Sequence, residues 1–278
     1  MFYNIRRESL RDLERREEMF DFFKKKTSGK PKAAVFVDYE HWYYGYHNKV
    51  QMKPNVEEWI DELKQEYEIH KLYIFGDFSE PKIGTELEKL KELTEHVVHT
   101  ASTKEGVDKD FTDIMILDTI YRSMAEKNED EVYILFTGDA HFTKVVEYLK
   151  EKDKKVIIYG VKFAFSNALK SAATSYVEMP RQEQERNHYN DLILISLDRL
   201  RAKNAAKKPS YWKTIDSVAA YNRVSKSRVK TALDGMISQK YIEVTTKKTG
   251  RNHEYTQQLL EVDWTQLQED GLWQSAAR

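Results

Sequence analysis

The sequence contains no cysteine. Disulfides, thiolate metal sites and cysteine nucleophiles are excluded, and the absence fits a reducing compartment. No apolar run approaches the ~18 residues that a membrane span requires. The first residues, Met-Phe-Tyr-Asn-Ile-Arg-Arg-Glu, lack the apolar core of a secretory signal. A cytoplasmic protein with no membrane partner is expected. No Gly-x-Gly-x-x-Gly follows the first strand-like run, and no Walker lysine loop occurs, which disfavours a dinucleotide or P-loop site. Net charge is also nearly absent: 45 Lys and Arg against 46 Asp and Glu leave −1. The chain as a whole is therefore no obvious polyanion binder, although an average hides local asymmetry.

What is present organises around Val132-Tyr-Ile-Leu-Phe-Thr-Gly-Asp-Ala-His-Phe142. Val132 to Phe136 is a continuous apolar run, the pattern of a strand buried on both faces. It stops at Thr137-Gly138-Asp139, and an amphipathic stretch follows. An aspartate is thus presented at the carboxyl end of a strand, where open α/β sheets place their ligands. Ala33-Ala-Val-Phe-Val-Asp38-Tyr-Glu40 has the same form.

With 278 residues the chain has room for one large domain or two with separate cores. Residues 2–25 carry apolar positions at helical spacing among alternating charges, so an N-terminal helical extension is expected over 1–31, either packed on the next domain or serving as a dimerisation arm. From 32 to 180, strand-like runs at 33–38, 69–75, 96–100, 132–136, 155–159 and 175–178 alternate with helix-like runs at 56–67, 82–94, 109–126, 142–152 and 164–173. Strands joined by helical crossovers mean a parallel sheet with helices on both faces, an α/β doubly wound fold. Arg181 to Asn190 is polar and reads as a domain boundary. A helix over 191–203, two helices over 214–221 and 225–239, strands over 241–246 and 254–256 and a last helix over 259–273 follow, with Ser225 as an N-cap. That is the order of a winged-helix domain, expected over 191–273.

Acidic residues gather where the sheet's carboxyl edge is expected: Asp38, Glu40, Asp77, Asp108, Asp110, Asp113 and Asp139. Carboxylates crowded at one edge repel unless a cation holds them, and Mg2+ or Mn2+ is the oxygen-preferring candidate. Such a cation activates water and stabilises the leaving oxygen of a phosphodiester. Asp77 is as well explained by a turn, and Asp108 and Asp110 by the dipole of the helix they open. Asp113 is flanked by Phe111, Ile114, Leu117 and Ile120 on a helix expected to be buried. Asp118 reads as a solvated or packing residue. In His41-Trp-Tyr-Tyr-Gly-Tyr-His47, Trp42 is expected in the core, while Tyr44 and Tyr46 are open between core and base stacking.

Val35-Phe-Val-Asp38-Tyr-Glu-His-Trp42, Lys104-Glu-Gly-Val-Asp108 with Asp113, and Thr137-Gly-Asp139-Ala-His-Phe142 together resemble the three motifs of NYN domains, over residues 32–180. These are PIN-like, Rossmannoid ribonuclease domains. The resemblance implies that strands one and four are neighbours, that Asp38, Asp113 and Asp139 hold a divalent metal, and that Asp108 assists. It implies an endonuclease that hydrolyses RNA with Mg2+ or Mn2+. The chain departs from the family pattern at three points. His41 stands where asparagine is usual, His141 replaces a second aspartate, and the spacing from Asp108 to Asp113 is one residue short. His141 then ligates a metal, gives a proton to the leaving oxygen, or only packs and caps the next helix.

Between 206 and 256, eleven basic residues face four acidic ones. Lys226, Arg228 and Lys230 open the expected recognition helix, and Lys247, Lys248 and Arg251 mark the wing. They suit phosphate contacts to RNA or DNA. Two functions are carried forward: a metal-dependent endoribonuclease with a winged-helix recruiting module, and a catalytically degenerate NYN protein that regulates by binding DNA or RNA. A small-molecule phosphatase ranks last, because no Asp-x-Asp-x-Thr/Val follows strand one.

Overall fold

The first strand, β1 (Lys32–Asp38), is apolar on both faces, and Ala33 to Val37 are all buried. Such a strand is stable only in the middle of a covered sheet. In the computed structural model, which describes residues 29–100, 111–126, 130–204, 206–249 and 255–274, that is where it lies. The expected helical extension over residues 1–31 falls almost wholly outside the described residues.

Six parallel strands form one sheet: β1, β2 (Glu68–Gly76), β3 (Val97–His99), β4 (Val132–Phe136), β5 (Lys155–Val161) and β6 (Ser175–Met179), in the order β3-β2-β1-β4-β5-β6. The chain runs outward from β1 to β3, then crosses back to β4 on the other side of β1. Ala33 to Val37 pair with Val132 to Phe136. The order reverses at β1 and β4, so a crevice opens between their carboxyl ends, and both ends carry an aspartate.

The two faces have different cores. On one, Ala34 and Phe36 of β1 and Tyr133 and Leu135 of β4 meet helices α5 (Phe111–Ala125), α6 (Thr143–Glu151) and α7 (Asn167–Ala172). On the other, the alternate residues meet α1 (Tyr39–Gly45) and α2 (Val56–Glu66). There Trp42 lies edge-on to Trp59 at 4.2 Å between centroids, and Trp59 stacks on Phe136 at 5.2 Å. The aromatic cluster after β1 is therefore mainly core: Trp42, Tyr43 and Tyr46 are buried, and only Tyr44 is half-exposed. Helix α1 was not foreseen; it continues through one π-helical turn, Tyr46–Val50.

The expected helix over 82–94 is two, α3 (Pro81–Gly84) and α4 (Leu87–Leu93). Helix α5 buries Thr112, Ile116, Ile120 and Ser123. Phe111 and Ile114, expected to be buried beside Asp113, are 39% and 58% exposed. A helix lying on a sheet hides one stripe, and these two fall on the other.

Among the described residues, those from 29–49 and 53–179 form one compact unit, and those from 50–52 and 180–274 form a second. In the second, α8 (Gln182–Lys203) begins well before the expected Asp191. Gln184 Oε1 accepts the Arg181 backbone N–H at 3.0 Å, and Tyr189 is already buried. Helices α9 (Tyr211–Asn222) and α10 (Lys226–Ser238) pack with α8 around Leu194, Ile215, Val218 and Leu233. An antiparallel hairpin, β7 (Ile242–Thr249) and β8 (Tyr255–Val262), follows. Leu259 to Val262 was expected to start a helix but is strand, because Leu260, opposite Val244, completes the same core. Helix α11 covers only Trp264–Glu269. Ser225 sits at the N-cap of α10, but its hydroxyl contacts the Ser227 hydroxyl at 2.7 Å and caps no backbone N–H. No described helix is long and apolar enough to cross a membrane.

Candidate metal centre

Asp38 ends β1 and caps α1: its Oδ1 accepts the His41 backbone N–H at 3.1 Å. Across the crevice, Thr137 follows β4. Its hydroxyl donates to Asp38 Oδ2 at 3.5 Å, and its oxygen accepts the Asp139 backbone N–H at 3.2 Å. Thr137 thus joins the two strand ends, a role the sequence reading did not assign. The Ser/Thr of the Thr-Gly-Asp motif was the available signal. Asp139 caps the short 3-10 turn Ala140–Phe142 by accepting the His141 N–H at 2.9 Å.

Gly138 has no room for a side chain. A Cβ there would stand 2.1 Å from the Ala164 carbonyl oxygen and 2.9 Å from His41 Nε2. Its own carbonyl accepts the Ser166 N–H at 2.9 Å. The close approach of backbone to backbone is what lets Asp139 turn toward the crevice.

Asp113, in the first turn of α5, arrives from a third direction. His141 Nδ1 lies 3.0 Å from Asp113 Oδ2 and 3.5 Å from Asp139 Oδ1. An ionised carboxylate only accepts, so Nδ1 carries the proton in this arrangement. Asp113, Asp139 and His141 each offer a ligand atom, all within 4.8 Å of one another. Two carboxylates and an imidazole make a donor set that suits a divalent cation. Asp38 stands outside this ligand-distance group, although the resemblance placed it among the ligands. Asp108 and Asp110 lie outside the described residues.

Electrostatics still couple Asp38 to the group. Its carboxyl is 4% exposed, and its pKa is raised from 3.8 to about 8. Burial is the main cause, the His41 N–H opposes it, and Asp113, Glu40 and Asp139 add repulsion. His41 is pushed down by burial, against the pull of Asp139, the Ala164 carbonyl and Asp113, so its ring is neutral.

The other acidic residues have local duties. Asp77 accepts from the Ser79 backbone N–H and hydroxyl, which is a turn. Asp118 pairs with Arg122 one turn along α5 at 2.6 Å.

The NYN domain model matches residues 32–180, more than half of the chain. The chain belongs to the NYN domain family. Family membership places it among PIN-like nucleases, nucleic-acid-binding proteins that usually use divalent metals. A crystal structure of a protein of unknown function from Vibrio parahaemolyticus is similar over 55% of this chain and 96% of that one, with 23% identity and a TM-score of 0.49. No curated protein matches.

In the second unit, the basic residues expected to contact nucleic acid fall into two groups. Lys226 pairs with Asp216 at 2.6 Å, and Lys230 with Asp234 at 2.6 Å. Arg228 faces Glu185 at 3.5 Å and donates to the Val50 carbonyl and the Tyr189 oxygen. Lys247 and Lys248 are exposed near the far end of β7. Arg251 lies outside the described residues.

Proposed function

We propose that this NYN protein is a metal-dependent endoribonuclease. The observation that carries the reading is the convergence of Asp113, Asp139 and His141 at the carboxyl edge of β1 and β4, beside the buried Asp38. Asp113 and Asp139 would hold Mg2+ or Mn2+ with His141, and the imidazole in the donor set favours Mn2+. The cation, when bound, activates water and offsets the charge that develops on the phosphoryl oxygens.

The remaining work falls to the chain. Asp139, fixed by Thr137 and by its own cap to His141, presents its carboxylate to the crevice. Asp38 holds β1 to β4 through its contact with the Thr137 hydroxyl, and would add negative charge behind Asp139 only once its carboxyl, with its pKa raised to about 8, is ionised. Where His141 does not hold the cation, its largely exposed imidazole would instead give a proton to the leaving oxygen. Asp108, five positions before Asp113 in the sequence, would assist. The helix and hairpin order of residues 191–273 supports a winged-helix module that recruits RNA, with Lys247, Lys248 and Arg251 on phosphates. Lys226, Arg228 and Lys230 are drawn into ion pairs and would contribute less.

A second reading is a degenerate domain that regulates by binding RNA or DNA. It is favoured by one observation: His141 replaces a carboxylate, and its contact with Asp113 already supplies a donor between the acids.

Cleavage of single-stranded and structured RNA with Mg2+ or Mn2+ decides between them. The nuclease reading expects endonucleolytic products with one of the metals and a loss of about 100-fold or more for Asp139→Asn. Activity that survives the substitution sinks the mechanism. Absence of cleavage with either metal, together with salt-sensitive binding, favours the regulator.

A further inference from the structure

We propose that the groove between α8 and α9 is a binding site for single-stranded RNA, separate from α10 and from Lys247 and Lys248 of the hairpin. The choice of RNA rests on the nuclease reading above. The groove encloses about 890 Å3. Leu192, Ile195 and Leu200 of α8 line it, with Leu192 the middle of the three around the helix, one turn before Ile195 and about two turns before Leu200. A surface helix normally turns such residues to the core; here Ile195 is 38% exposed while Ile193, Leu194 and Leu197 fill the core behind it.

The rim is cationic. Arg199, Lys203, Lys207, Lys208 and Lys213 line the groove, and no aspartate or glutamate does. In a chain with one more acidic than basic residue, an acid-free lining with five cations is a marked segregation of charge. Lys208 pairs with Glu261. Lys203, Lys207 and Lys213 have no ion pair among the described residues. These lysines therefore offer what Lys226, Arg228 and Lys230 of α10 have already committed to carboxylates.

An aromatic ring completes the site. Tyr221, at the end of α9, lines the groove and is 74% exposed, with the Arg199 guanidinium 5.4 Å from its centroid. An apolar lining, one exposed ring and a cationic rim match unpaired nucleotides: bases stack on tyrosine and apolar surface while phosphates meet lysine. A duplex hides its bases in its own stack, so the lining and the ring select single strands. A protein partner would need the rim to meet an acidic peptide, and would make no use of ring stacking.

The test uses the full chain carrying Asp139→Asn, without divalent metal, so that binding is read independently of cleavage. Fluorescence anisotropy follows a labelled single-stranded RNA of about ten nucleotides and a hairpin of equal length. Single-stranded RNA is expected to bind more tightly than the hairpin. Tyr221→Ala is expected to weaken it about tenfold or more, and Tyr221→Phe to preserve it. Reversing Lys203, Lys207 and Lys213 to Glu is expected to weaken binding at least as much. It should also flatten the salt dependence by roughly two units of slope, the share of three phosphate contacts on a single strand. Trp212→Ala, an exposed ring on α9 outside the groove, should leave binding unchanged. Thermal melting checks that each variant is folded. Unchanged affinity in folded Tyr221→Ala and triple-reversal variants overturns the site. So does tighter binding of the hairpin, or an acidic peptide whose binding is lost in the groove variants while RNA binding is kept. If the groove variants bind normally while metal-dependent cleavage still needs Asp139, the site falls and the nuclease reading stands. If the wild-type chain binds through the groove and never cleaves, the reverse holds.

Discussion

His141 Nδ1 lies 3.0 Å from Asp113 Oδ2, a contact that spans 28 residues of sequence and joins the turn after β4 to the first turn of α5. The motif resemblance puts the imidazole where a carboxylate is usual, and on the nuclease reading the donor set would then be mixed rather than all oxygen. Wild-type protein is expected to bind Mn2+ more tightly than Mg2+ in calorimetric titration. His141→Asp is expected to raise Mg2+ affinity on the order of tenfold, because an added charged oxygen ligand suits the harder cation. An unchanged Mg2+ affinity in that variant would remove His141 from the donor set.

Asp38 sets a pH dependence of stability. Its carboxyl loses its proton near 3.8 in an unfolded chain but only near about 8 in the fold. Between those values the native state holds more protons than the unfolded state, so this group makes stability fall as pH rises, and the effect levels off above about 8. Asp38→Asn removes the ionisation. The variant is expected to melt several degrees higher than wild type at pH 8 in the absence of divalent metal, with little difference at pH 4. Melting curves at the two pH values check this, and an equal shift at both would contradict the assignment. The same variant is expected to lose nuclease activity.

Gly138→Ala should be costly for a steric reason. The new Cβ would sit 2.1 Å from the Ala164 carbonyl oxygen, and the Ala164 and Gly138 backbones are both held in place, the latter by the Ser166 N–H. A destabilisation of about 1–3 kcal/mol is expected in denaturant unfolding. Metal affinity should fall with it, because the turn that aims Asp139 must open.

The aromatic residues after β1 divide into core and surface. Trp42 is fully buried between Trp59 and Phe136, and Trp42→Ala is expected to cost about 3–5 kcal/mol. Tyr44, half-exposed, should cost under about 1 kcal/mol when replaced by Ala. Urea titration of both variants separates the two roles.

Much of the architecture was legible in the sequence because it is written in local patterns. Apolar runs such as Ala33–Val37 and Val132–Phe136 can be stable only as strands covered on both faces, and the helical stretches between them require parallel connections. The runs stop at Asp38 and at Thr137-Gly-Asp139, so candidate carboxylates were visible at the strand ends. Turn chemistry was legible too: Asp77 serves Ser79. Periodicity failed where one element could be read two ways. Leu259–Val262 joined a strand because Leu260 had a place opposite Val244. Phe111 and Ile114 turned to the surface because α5 hides a single stripe.

What the tertiary structure alone decided are the relations between distant segments. The sequence by itself specified an alternating α/β chain, with acidic strand ends and a basic C-terminal part. The neighbouring of β1 and β4, which the family resemblance implied, is seen in the strand order, and only the structure showed Thr137 bridging Asp38 and Asp139. Only the packing of α5 brought Asp113 to His141. Only the pairing of side chains in space showed that Lys226, Arg228 and Lys230 answer to Asp216, Glu185 and Asp234, while Lys203, Lys207 and Lys213 meet no acid among the described residues. The physical reason is the range of the forces. Backbone propensity and hydrophobic periodicity act over a few neighbours. The field at a carboxylate or an ammonium depends on every charge within several ångströms, whatever its distance along the chain.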